Sequence, residues 1–113
     1  MQISKIEIAV VVSALEDVGT GWSGDTVNLE RIEVETRTHT KTGFCTKFVR
    51  SPGLKLFEDC RTYKYYKSGA TPEPSLVACG FLVYFVEGFL DFVEGYTFGL
   101  EEWPKEMSPS DVK

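Results

Sequence analysis

The residue with the most chemical promise is Glu94, set in the run Gly88-Phe-Leu-Asp-Phe-Val-Glu94-Gly95-Tyr96. Burying an ionised carboxylate unpaired among phenylalanines costs several kcal/mol, so such a group is protonated, hydrogen-bonded, or at a sheet end in water. Held in an apolar surround, Glu94 would serve as a general acid or base, with Tyr96 beside it and Asp91 or His39 as candidate helpers. The competing reading is a structural glutamate bonded to a hydroxyl or to backbone amides, or a strand register displaced by one residue.

Other reactive groups carry less. His39 is the single histidine and alternates in phase with charged neighbours, which reads as a solvent-facing strand residue. Cys45, Cys60 and Cys79 are widely spaced and odd in number. With no Cys-x-x-Cys, neither a zinc site nor a disulfide framework is indicated, and the thiols fit a reducing compartment. Gly19-Thr-Gly21-Trp-Ser-Gly24 spells Gly-x-Gly-x-x-Gly. A dinucleotide fingerprint needs a strand before that string and a long helix opening at it. Here Asp25 to Thr40 turns into a strand pattern instead, leaving a loop that holds Trp22. No cofactor and no metal are expected.

Twelve basic against seventeen acidic residues give a net charge of −5, which opposes a phosphate backbone. Lys41, Lys47, Arg50, Lys55, Arg61, Lys64 and Lys67, interleaved with Tyr63, Tyr65 and Tyr66, are dispersed as on a solvated face, so nucleic acid is disfavoured. Glu87 interrupts the longest apolar run, and the N-terminus lacks the basic, apolar and small-residue succession of a signal peptide. A cytoplasmic protein without membrane association is expected. The 113 residues suit one domain with one core, ending in a polar, frayed tail over 107–113.

These groups have to be positioned by a hairpin over 76–98, the most apolar part of the chain. Glu87-Gly88 is its turn, since two-residue loops need positive φ and Gly supplies it freely. Phe81, Phe85, Phe89, Phe92 and Tyr96 also step at helical spacing. Gly80, Gly88 and Gly95, with the aromatic and β-branched content, argue for strands. Pairing outward from the turn sets Val86 against Phe89, Phe85 against Leu90, Tyr84 against Asp91 and Phe81 against Glu94. The core face then holds Val77, Cys79, Phe81, Val83 and Phe85 with Leu90, Phe92, Glu94, Tyr96 and Phe98. Glu94 is its only charge.

Upstream, Ser4-x-x-Glu7 has the form of a capping box. Ile6, Ile8, Val10 and Val12 alternate as in a strand, but Ile8, Val11, Val12, Leu15 and Val18 predict a helix over 5–18, with Gly19 as its cap. Ile32, Val34, Thr36, Thr38 and Thr40 predict a strand over 31–40 with Glu33, Glu35, Arg37 and His39 outward, and 44–49 its partner. Residues 54–67 have mixed periodicity, strand or short helix, and 68–75 read as a loop. The fold expected is α+β: an antiparallel sheet of four to five strands with an N-terminal helix packed on one face.

Two stretches carry a resemblance. Thr40-Lys-Thr-Gly43-Phe44-Cys45-Thr46-Lys-Phe48 is similar to a Thr-Gly-x-Gly-Phe-Phe-Thr-x-Phe motif. Gly80-Phe81 through Leu90, Glu94-Gly95-Tyr96-Thr97-Phe98 and Trp103-Pro104 resemble Gly-Phe-x-x-Phe, Leu-Glu-Gly-Tyr-Thr-Tyr and Trp-Pro. Both motifs belong to a family of small uncharacterised bacterial proteins. Lys41, Cys45 and Val93 depart from the pattern. The resemblance supports the hairpin, marks Glu94, Gly95 and Tyr96 as a unit, and implies no activity.

Small size, acidic charge and many Tyr and Phe residues favour a non-enzymatic interaction protein of immunity, inhibitor or accessory type, acting on a protein partner. A small hydrolase or lyase using Glu94 and Tyr96 is the second reading. A small-ligand-binding domain, with Trp22 or Trp103 lining a pocket, is the third.

Overall fold

The computed structural model describes residues 1–18, 22, 24, 26–58, 62–70, 78–98 and 102–103. Most of the Gly19–Gly24 string, Cys60, the segment 71–77 and the tail 107–113 lie outside the described residues.

Helix α1 spans Lys5–Val18. Its first turn is closed by the capping box read from the sequence. The Ser4 N–H donates to Glu7 Oε1 (2.7 Å) and the Glu7 N–H to Ser4 Oγ (3.2 Å), so two of the helix's unpaired amides are satisfied reciprocally. Glu7, Val10, Val11, Ala14 and Leu15 form the buried stripe. Ile8 and Val12, expected at its centre, are half-buried shoulders against the same core. A short helix α2, Val27–Glu30, buries Leu29.

Five strands follow: β1 Val34–Thr40, β2 Gly43–Phe48, β3 Tyr63–Ala70, β4 Ala78–Val86 and β5 Phe89–Thr97. They form one antiparallel sheet in the order β1-β2-β5-β4-β3. Strand β3 resolves the mixed segment in favour of a strand and runs into the expected loop at 68–70. Helix α1 packs on one face only, its apolar residues meeting Phe81, Val83, Phe85, Leu90 and Val93. At the helix's far end the Tyr65 hydroxyl donates to Asp17. Burial, that bond and the aspartate's charge push the phenol up to about 12.

The β4–β5 turn is where expected. Glu87 has φ 53° and Gly88 φ 90°, the two positive values of a type I′ turn. Gly88 has a second reason to be glycine, because a Cβ there would lie 2.2 Å from the Phe57 carbonyl oxygen. The segment after a 3-10 turn at Pro52–Leu54 crosses the hairpin tip at this point, and the Leu56 N–H donates to the Gly88 carbonyl (2.7 Å).

Two residues beyond the turn the expected register fails. Val86 pairs with Phe89 and Phe85 with Leu90, but Tyr84 pairs with Phe92, leaving Asp91 as the extra residue of a β-bulge. Because side chains alternate, one inserted residue moves everything beyond it to the other face. The helix-covered face therefore holds Cys79, Phe81, Val83 and Phe85 with Leu90, Val93, Gly95 and Thr97. Phe92, Glu94 and Tyr96 point away from the core, and Glu94 is not packed among its phenylalanines. A second bulge at Glu35 inverts β1 in the same way: Ile32 and Val34 are buried, but Thr36 and Thr38 turn outward while Arg37 and His39 fall on the helix side.

Candidate functional site

Beyond the bulges the face away from α1 carries three rows of side chains, each running across the sheet. Lys47, Phe92, Tyr84 and Lys64 form one, with Thr36 at its edge. Cys45, Glu94, Leu82 and Tyr66 form the next, with Thr38 at its edge. Gly43, Tyr96 and Gly80 form the third. Leu82, Tyr84, Phe92, Glu94 and Tyr96 are half-buried by their neighbours, and Tyr66 is 64% exposed. The Tyr84 and Phe92 rings lie 5.2 Å apart, and the Lys64 ammonium sits 5.6 Å from the Tyr84 ring. At the hairpin end Arg50 stacks over Phe89 at 4.4 Å and pairs with Glu87 at 2.8 Å.

Glu94 and Tyr96, singled out from the sequence, do meet on this face, two residues apart on β5. His39 does not join them: it lies on the other side of the sheet, exposed, its ring 6.4 Å from Phe44. Asp91 is the bulge residue itself. Burial pushes the Tyr96 phenol up, and Tyr66, Glu94 and Cys79 add to that. Burial likewise raises the Cys45 thiol, with the charge of Glu94 beside it. Both groups therefore hold their protons at neutral pH, and neither is an activated nucleophile.

Among the described residues the one deeply buried carboxylate is Glu7, on the opposite face and only 1% exposed. Arg37 donates to it from Nε (to Oε2, 3.1 Å) and Nη2 (to Oε1, 2.5 Å), and also reaches Thr46 Oγ1 at 3.3 Å and the Gln2 carbonyl at 3.2 Å. Burial alone would raise the carboxyl of Glu7. Bonds from Arg37, Thr46 and the Ser4 amide outweigh it and hold the group below its usual range. A carboxylate so fully bonded is a fixed internal ion pair. The capping box located Glu7 in the sequence, but nothing there pointed to Arg37, thirty residues away, because that contact depends on the Glu35 bulge.

Trp22 packs against the core. The Trp103 N–H donates to the Lys41 carbonyl (2.9 Å), and its ring stands edge-on to Phe44 (5.4 Å) and Phe81 (5.7 Å). A cleft of about 560 Å³ between the N-terminal residues and Ser51–Leu54 is lined by Gln2, Glu30, Arg31 and Glu33 among others, and neither tryptophan borders it. Among the described residues no three His, Cys, Asp or Glu side chains converge as metal ligands would.

The motif glycines Gly43, Gly80 and Gly95, with Phe44, Tyr96 and Trp103, gather at one end of the sheet. Gly95 lies beneath Phe44 and Trp103, where a Cβ would come within 2.4 Å and 2.8 Å of their rings. Gly80 lies beneath the Tyr96 ring, 2.7 Å from a would-be Cβ. Glycines at these strand positions mark close approach by a neighbouring ring, so the Gly-Phe, Glu-Gly-Tyr and Trp spacings are accounted for by packing. The chain matches no protein-family model, no curated protein and no solved structure.

Proposed function

We propose that this is a small acidic interaction protein, of immunity, inhibitor or accessory type, that offers its helix-free sheet face to a protein partner in the cytoplasm. The observation that carries this reading is the Asp91 bulge. It diverts Phe92, Glu94 and Tyr96 out of the core and aligns them with Leu82, Tyr84 and Tyr66 on the open side. Aromatic residues at the centre of a patch, with polar groups around it, are the composition of a binding surface. Here Thr36, Thr38, Lys47 and Lys64 supply the rim. No helix among the described residues is long and apolar enough to cross a membrane.

The hydrolase or lyase reading is less well supported. An acid–base pair works in a site that excludes water, whereas Glu94 and Tyr96 stand on an open face. Their neighbour Cys45 is held as a thiol.

The test is affinity capture from native lysate by the full chain, set against Leu82→Glu and Phe92→Glu. Both variants should keep the wild-type circular dichroism spectrum and lose the captured protein, while Glu16→Lys on the exposed side of α1 should retain it. A captured protein that binds all four forms equally, or none captured by the wild type, would refute the open face as the binding surface.

A further inference from the structure

We propose that the open face receives an arginine side chain from a basic partner, with the guanidinium on Glu94 and its stem laid across Leu82 toward Tyr66. The inference rests on the open-face reading above and names the chemistry of the partner.

Glu35 and Glu87, which border the same face, are each neutralised by a cation of this chain, Lys47 and Arg50 respectively. Glu94, in the middle row, takes part in no ion pair among the described residues. It is half-buried between Cys45 and Leu82, with Tyr96 two positions along its own strand. A carboxylate that has lost part of its water and has no counter-charge among the described residues is suited to completion by a cation from outside, and the net charge of −5 attracts a basic surface over longer range.

The surroundings select arginine over lysine. A guanidinium meets a carboxylate with two parallel hydrogen bonds, lies flat against aromatic rings, and is more weakly hydrated than an ammonium. Tyr66 stands two strands from Glu94, about 10 Å at the backbone, with Leu82 between them. An extended arginine fits that span, its methylenes on Leu82 and its head at Glu94 beside Tyr96. The occupant is thus a positively charged protein surface carrying an exposed arginine next to apolar side chains, which meet Tyr84 and Phe92.

Amide chemical-shift mapping of the full chain, titrated with N-acetyl-arginine amide and with N-acetyl-lysine amide, tests this. Saturable shifts should appear at Cys45, Leu82, Glu94 and Tyr96, with the lysine probe binding more weakly. Loss of the two-pronged charged contact in Glu94→Gln should weaken the arginine probe at least about tenfold, and Glu94→Asp should restore part of it. Absence of these shifts, or shifts of equal size in Glu94→Gln, overturns the arginine site. Movement of the same amides with protein concentration and no probe would make the occupant a second copy, and also overturns it. The open-face reading fails separately, if the wild type captures nothing or if Leu82→Glu and Phe92→Glu leave capture unchanged.

Discussion

The two faces of the sheet are almost equally rich in large apolar side chains, yet they are used in opposite ways. On the covered face Phe81, Phe85, Val83 and Val93 are fully buried beneath Val10, Val11, Ala14 and Leu15, and the buried Glu7 carboxylate is locked by Arg37 and Thr46. On the open face Leu82, Tyr84, Phe92 and Tyr96 keep part of their surface in water, and the carboxylate among them pairs with no cation among the described residues. What separates the two is one residue of register: without the extra Asp91, Phe92, Glu94 and Tyr96 would trade places with Val93, Gly95 and Thr97. Stability belongs to the first face, and the second is the one proposed for recognition.

Paired truncations sharpen that contrast most strongly. Phe81→Ala empties a fully buried site and should cost about 3–5 kcal/mol in urea unfolding. Phe92→Ala removes a half-buried ring whose main partner is Tyr84 and should cost about 1 kcal/mol. Similar losses at both sites would erase the distinction between the faces.

The carboxylates give the next largest effect. Arg37→Ala leaves Glu7 buried without its cation and should cost about 3 kcal/mol at neutral pH, with Glu94→Gln near zero. The pH dependence differs in sign. In the wild type the Glu7 carboxyl is held below its ordinary 4.5, so the unfolded chain binds the proton more readily. Its contribution is present above that pH and is lost as pH falls through the native value. In Arg37→Ala burial dominates and raises the group, so part of the lost stability should return as Glu7 is protonated. Urea midpoints measured from neutral pH down through 4.5 would show the reversal.

The smallest effect separates two glycines. A methyl group at Gly95 meets Phe44 and Trp103, rings packed against the core, whereas one at Gly80 meets the far end of the Tyr96 ring, which can lift into solvent. Gly95→Ala should cost about 1–3 kcal/mol as an overpacked site, and Gly80→Ala clearly less. Equal costs would mean that the Tyr96 ring is held as firmly as the core.

Most of the architecture was legible in the letters. Ser4 and Glu7 announced the helix start, Glu87-Gly88 the turn, and the alternation in 31–40 and 44–49 a strand pair; each depends on chemistry within a few residues. The bulges were not legible, and they decide the site. In β5 both alternating sets, Leu90-Phe92-Tyr96 and Phe89-Val93-Thr97, are apolar enough to face a core, so a period of two gives no sign that the phase slips between them. In β1 the threonines and charged residues alternate equally well in either phase. The strand glycines were the available signal, since Gly80 and Gly95 mark where rings from other elements press against the backbone. Which rings they were depended on tertiary contacts with Phe44, Tyr96 and Trp103.

The facing of β5 is what every functional statement here stands on, and thiol labelling reads it directly. In a chain with its native cysteines replaced by serine, Val93→Cys and Glu94→Cys are exposed in turn to a maleimide under native conditions. The bulged register predicts fast labelling at 94 and protection at 93 until the protein unfolds; protection at 94 with fast labelling at 93 would contradict it.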